Sequence, residues 1–150
     1  MGVLRVGICD DGSAICSEIE RIVKEYGKKH DLRLDTEIWS TGEALVDYLE
    51  DGNAIDLLFL DIDLITTSGV DIGQYIRHRL NNYSMKIVFI SANTTYAMSL
   101  FDIMPMNFLV KPLVKSKVEE CLDLAVMFLV KEEKVFQCKV AGKTHYIPFR

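Results

Sequence analysis

Ile55-Asp56-Leu57-Leu58-Phe59-Leu60-Asp61 is the stretch that decides the fold. Four large apolar residues in a row are too apolar for a strand with one wet face. They suit a central parallel strand covered on both sides. The run then stops at an acid. Three other segments are built the same way: Val6-Gly7-Ile8-Cys9 leads into Asp10-Asp11, Ile87-Val88-Phe89-Ile90 into Ser91, and Asn107-Phe108-Leu109-Val110 into Lys111-Pro112. In an open parallel α/β sheet, ligands bind at the carboxyl ends of the strands. Three carboxylates, a hydroxyl and an ammonium are therefore expected to converge on one point.

The intervening segments read as helices. Ser13 is the expected N-cap of a helix to about Lys29, with Ile15, Ile19, Ile22, Val23 and Tyr26 at helical spacing. Leu34 to Trp39 alternates as a second strand, and a short helix follows with Ala44, Leu45, Tyr48 and Leu49 inward. Ile72, Tyr75, Ile76 and Leu80 mark a third helix, residues 95–101 a short fourth, and Val118 to Leu129 a last one ending near Lys131. Strand and helix alternate five times, which implies parallel strands joined by right-handed crossovers. After Lys131 the pattern changes. Val135 to Val140 and Thr144 to Phe149 alternate around the turn Ala141-Gly142-Lys143 and read as a β-hairpin.

With 150 residues, 49% apolar and 26% charged, the chain fits one ordinary domain with an appendage. No apolar run is long enough to span a bilayer, and the N-terminus lacks a signal-peptide pattern, so a cytoplasmic location without membrane contact is expected. The net charge of -5 argues against nucleic-acid binding by this segment itself. Cys9, Cys16, Cys121 and Cys138 form no C-x-x-C and read as reduced thiols. His30, His78 and His145 lack metal-ligand spacing, and Asp10-Asp11-Gly12 lacks the rest of a calcium loop.

Carboxylates that converge repel by about 1–4 kcal/mol per pair at 4 Å, depending on screening. A hard divalent cation between Asp10, Asp11 and Asp61 would relieve that, and magnesium prefers such oxygen ligands. One carboxylate can then act as a nucleophile toward phosphorus. Lys111 would neutralise charge on a transferring phosphoryl group, and Ser91 would donate to one of its oxygens. Taken singly, each residue has a plainer reading as a helix cap, a turn or a surface lysine. The conjunction is what points to phosphoryl chemistry.

In these residues the chain resembles the receiver domain of bacterial two-component response regulators, over about residues 3 to 130, which sets the expected domain at residues 1–131. The resemblance implies a flavodoxin-like (CheY-like) doubly wound parallel five-stranded sheet of order 2-1-3-4-5. It makes Asp61 the phosphoacceptor, with Asp10, Asp11, Asp61 and the backbone carbonyl of Asp63 toward magnesium. Ser91, followed by the small Ala92, takes the hydroxyl switch position and Phe108 the aromatic one. Lys111 is the lysine of a lysine–proline pair whose bond to Pro112 is expected to be cis. Gly69 falls eight residues after Asp61, as in the family loop. The implied function is a phosphorylation-controlled switch without a separate turnover substrate. A sensor histidine kinase is the implied phosphodonor. Two departures stand out. Leu64-Ile65-Thr66-Thr67-Ser68 lacks the family's proline, implying a looser loop, and Asp63 puts an acid two residues after the phosphoacceptor.

The tail from Phe136 to Pro148 resembles the opening strands of a LytTR-type DNA-binding domain. Residues 132–150 are accordingly expected to be a linker and the start of such a module, cut short here. DNA contact would come only through the missing part. The hairpin's unpaired edges predict a homodimer. A competing resemblance is to haloacid-dehalogenase-type phosphatases, with Asp61 as nucleophile and Asp63 as general acid. That family places its acidic pair after the lysine, whereas Asp10-Asp11 comes first here. An inert pseudo-receiver would lack key acids or the lysine, and all are present.

Overall fold

A computed structural model describes residues 2–93 and 100–140, with side chains up to Leu129. Five parallel strands form one sheet: β1 (Leu4–Cys9), β2 (Leu34–Trp39), β3 (Leu57–Asp61), β4 (Lys86–Ser91) and β5 (Asn107–Val110). Their order is β2-β1-β3-β4-β5. The helices are α1 (Ser13–Lys29), α2 (Gly42–Glu50), α3 (Gly69–Gln74) and α4 (Lys115–Val140). α3 runs on into one π turn, Tyr75–Arg79.

Side chains alternate across a strand, and in the three central strands both faces are apolar. Leu4, Val6, Ile8, Leu57, Phe59, Val88 and Ile90 pack with Ile19, Ile22, Val23, Val118, Cys121 and Leu122, so α1 and α4 cover one face. Cys9, Leu58, Leu60, Ile87 and Phe89 pack with Leu45, Leu49, Ile72 and Ile76, so α2 and α3 cover the other. Every residue of β3 is buried, as expected of a strand between two helical layers. Tyr26 donates to Asp123 Oδ1 at 2.5 Å and Lys115 pairs with Glu25 at 3.1 Å, which joins α1 to α4.

The sequence reading needs correction in two places. Ser13 is not the N-cap of α1. Gly12 occupies that position without a side-chain cap bond, and its N–H donates to Asp10 Oδ1 at 2.7 Å. The aspartate turn ahead of the helix thus does the work assigned to the serine. Second, α4 continues to Val140 through the segment expected as the first hairpin strand, Val135 to Val140. From Lys115 to Val140 there is no glycine or proline, and Lys131-Glu132-Glu133-Lys134 are good helix formers. The alternation over those residues is overridden by propensity and by a helix already nucleated. The hairpin's second strand lies outside the described residues, and the edge argument for a homodimer loses its first strand. The short helix expected over residues 95–101 lies mostly outside the described residues; residues 100–103 form a 3₁₀ turn.

No helix among the described residues is long and apolar enough to cross a membrane.

Candidate functional site

Strand register brings the polar ends together. Cys9 lies beside Leu60, so Asp10 follows next to Asp61. Asp61 lies beside Ile90, and Ser91 beside Val110, which places Ser91 and Lys111 one step further along. Two backbone bonds fix this end of the sheet: Ile62 N–H to Ile90 O at 3.0 Å and Lys111 N–H to Ser91 O at 2.9 Å. The Lys111–Pro112 peptide bond is cis.

Asp10 and Asp61 are each 1% exposed, Ser91 is fully buried, and Asp11 is exposed. Lys111 Nζ stands 3.0 Å from Asp10 Oδ2 and 3.7 Å from Asp61 Oδ2. Burial pulls the Lys111 ammonium down, but the Asp10 contact and the charges of Asp10, Asp61 and Asp11 outweigh it and leave the group raised. Burial also pushes the Asp61 carboxyl up, with Asp10 and Asp11 adding to the rise. The Asp63 N–H, donating to Asp61 Oδ1 at 3.0 Å, and Lys111 act against it.

The donor set suits a hard cation. Asp10, Asp11 and Asp61 each place a carboxylate oxygen within 4.8 Å of the others. Asp10 Oδ2 is buried and takes the Lys111 ammonium at 3.0 Å, and a carboxylate oxygen has a further lone pair to offer a cation. Three converging carboxylate oxygens, one of them buried, fit magnesium.

The loop after Asp61 is held in place of the expected looseness. Thr66 Oγ1 donates to both Glu43 carboxylate oxygens, at 2.8 and 2.7 Å, and Thr67 Oγ1 donates to the same side chain at 3.3 Å. Ser68 Oγ caps α3 by accepting from Val70 N–H at 3.0 Å. Gly69 closes the loop with its N–H on Ile62 O at 2.9 Å. A Cβ on Gly69 would sit 2.3 Å from Asp61 O and 2.8 Å from Ile62 Cα, both backbone atoms. Gly69→Ala must therefore displace the segment bearing Asp61. A loss of about 1–3 kcal/mol, the usual cost of overpacking, is expected in urea titration.

Two contacts of the site gave no signal in sequence. Asp63, exposed, accepts the Ser91 hydroxyl at 2.8 Å on Oδ2, and Glu43 reaches across from α2. Both are long-range pairings that only the fold creates. Phe108 is half-buried against the core that α2 and α3 cover. It lines a groove with Val110, Val114, Lys117 and Glu120.

Comparison with known proteins gives a consistent picture. Residues 6–123 match the response regulator receiver domain family. The chain is 28% identical over 120 residues to the sensory transduction protein LytT of Bacillus subtilis, covering 80% of this chain and 47% of that protein. It is 24% identical over 116 residues to the transcriptional regulatory protein LytR of Staphylococcus aureus, covering 77% and 44%. The chain thus spans about half the length of the curated relatives it matches. Among solved structures, the REC domain of AraT, a response regulator from Geobacillus stearothermophilus, superposes with a TM-score of 0.72 at 24% identity, over 89% of this chain and 100% of that one.

Proposed function

This chain belongs to the response regulator receiver domain family, and on that premise we propose that Asp61 accepts a phosphoryl group from the histidine of a sensor kinase in a magnesium-dependent reaction. The observation that carries the reading is the convergence of Asp10, Asp11 and Asp61 beside Lys111 Nζ at the carboxyl end of a fully buried strand.

In the transfer, an Asp61 carboxylate oxygen attacks phosphorus. The P–N bond of the donor breaks, a P–O bond forms, and the product is an acyl phosphate. Asp10, Asp11, Asp61 and the Asp63 carbonyl would hold magnesium, which when bound supplies positive charge to the phosphoryl oxygens. Lys111 adds a second positive group that is already in place, 3.7 Å from Asp61. The Asp63 N–H orients the Asp61 carboxylate. Ser91 then donates to a phosphoryl oxygen, Phe108 turns inward, and an existing equilibrium between two receiver states shifts.

In the whole protein we extend the reading to transcription control, with residues 1–131 as the receiver and residues 132–150 leading toward a LytTR-type DNA-binding module. Supporting it is the name of the relative LytR, a transcriptional regulatory protein. A homodimer belongs to the same proposal. Its support is that Val110 and Val114 are exposed apolar residues beside the Phe108 groove, and light scattering with and without phosphorylation tests it. The dehalogenase-type alternative asks Asp63 to act as a free general acid, whereas Asp63 accepts the Ser91 hydroxyl.

The deciding experiment is intact-mass measurement after incubation with acetyl phosphate. One added phosphate is expected with magnesium and none with chelator. Steady release of phosphate without a labelled protein would favour a phosphatase. No label and no turnover would favour a pure interaction module.

A further inference from the structure

Three hydrogen bonds run in series along the top of the sheet. Asp63 N–H donates to Asp61 Oδ1 at 3.0 Å. Ser91 Oγ donates to Asp63 Oδ2 at 2.8 Å. Asn93 N–H donates to Ser91 Oγ at 3.0 Å. One side chain, Asp63, thus occupies the hydroxyl that the proposed phosphoryl group on Asp61 would need. We propose that the Asp63 carboxylate is a latch: it holds the Ser91 hydroxyl in the unphosphorylated state and sets how readily this receiver takes its phosphorylated form. The inference rests on the reading of Asp61 as phosphoacceptor.

A serine hydroxyl has a single proton. Ser91 can donate to Asp63 or to a phosphoryl oxygen, but not to both. A hydroxyl bond to an ionised carboxylate is charge-assisted and stronger than one between neutral groups. Ser91 is fully buried, so its proton has few acceptors to choose among, and a hydroxyl deprived of its partner there is costly. The Asn93 N–H takes up acceptor capacity on Oγ and leaves the proton free to be aimed at Asp63. Asp63 itself is exposed. Phosphorylation would require this bond to break before Ser91 can engage the phosphoryl group. The carboxylate also repels an incoming phosphoryl anion, in the same direction. The two effects separate experimentally, because only the latch passes through Ser91.

The test uses the full 150-residue chain as native protein, Asp63→Ala, Ser91→Ala and the double variant. Each is titrated with beryllofluoride, a phosphoryl mimic, in the presence of magnesium, and amide NMR shifts give the apparent affinity. Asp63→Ala in the native background is expected to tighten binding about tenfold, the scale of one hydrogen bond to a charged group. In the Ser91→Ala background the same change is expected to give no more than about twofold, the remainder left by screened charge repulsion. Equal gains in both backgrounds overturn the latch, as does the absence of any gain in the native background. Asp63→Asn provides a second arm that leaves Ser91 untouched. It keeps an acceptor and loses the charge, so its gain must fall below that of Asp63→Ala, and an equal gain overturns the latch. Failure of the native chain to bind the mimic, or binding that survives Asp61→Asn, overturns the phosphoacceptor reading itself and the latch with it.

Discussion

Asp61→Asn is expected to take up no phosphate, and to melt higher than the native chain when divalent cations are removed. The first effect is complete, because the amide keeps the shape of the side chain and loses the nucleophilic oxygen pair. The second follows from where the carboxylate sits. Asp61 is 1% exposed at the end of a strand buried on both faces. Burial pushes its carboxyl above the ordinary range, and the like charges of Asp10 and Asp11 push further. A group whose folded pKa is raised destabilises the fold at neutral pH, where its ionised form must be kept. Asn removes that charge, and its amide oxygen can still accept the Asp63 N–H. The expected gain is about 1–2 kcal/mol, the scale of one relieved like-charge contact at partial screening. For a chain of this size that is a few degrees, at about 2–4 °C per kcal/mol. Added magnesium should narrow the gap, since a cation that binds only the native state stabilises it by mass action. Intact mass and calorimetry check the two effects. Full labelling of Asp61→Asn, or a lower melting temperature in chelator, would contradict the assignment.

The parts of this molecule legible in sequence are those set by local pattern. The apolar run Leu57-Leu58-Phe59-Leu60 could only be a covered strand, and it is. Repeated strand–helix units and right-handed crossovers announce a parallel sheet, while its order, β2-β1-β3-β4-β5, was implied by the family resemblance alone. The acids after β1 and β3 converge because parallel strands end on the same side. What sequence left hidden is what depends on pairing between distant residues. Nothing in Thr66-Thr67 says that Glu43 will bind both hydroxyls, although the pair lies 23 and 24 residues away. That clamp supplies the order that a proline would otherwise give the loop. Nothing in Asp63 names Ser91, 28 residues on, as its donor. In the tail the failure runs the other way. A short alternating pattern suggested a strand, while uninterrupted helix formers upstream carried α4 through it.

Arg77→Met is expected to destabilise the fold by about 3 kcal/mol, more than most single changes on a helix. Helical periodicity placed Ile72 and Ile76 inward and gave no reason to bury the residue after Ile76. The π turn supplies it. Leu80 N–H bonds to Tyr75 O, an i→i+5 spacing at 3.0 Å, and the widened turn brings position 77, five after Ile72, round toward the core. Arg77 is 2% exposed, and its guanidinium donates to backbone carbonyls. It donates to Ile103 O and Met85 O at 2.7 Å, to Asn82 O at 2.9 Å and to Met104 O at 3.4 Å. Burial pulls the guanidinium down from its ordinary range, and as a class guanidinium groups keep their charge in proteins. The side chain therefore works as a bracket that satisfies three close carbonyls and one longer one. It joins the end of α3 to the turn before β4 and to the segment before β5. Met fills much of the volume but donates nothing. Each carbonyl left without a partner costs about 1–3 kcal/mol, and relief of the buried charge offsets part of the sum. Arg77→Lys should recover only a fraction, because an ammonium cannot span the fork geometry of a guanidinium. Met104, with φ of 56°, sits in a left-handed conformation immediately beside this bracket, so residues 103–104 should lose hydrogen-exchange protection first. Urea titration measures the global loss and amide exchange its location. A loss below about 1 kcal/mol with uniform exchange would show that water replaces the guanidinium and that the bracket is dispensable.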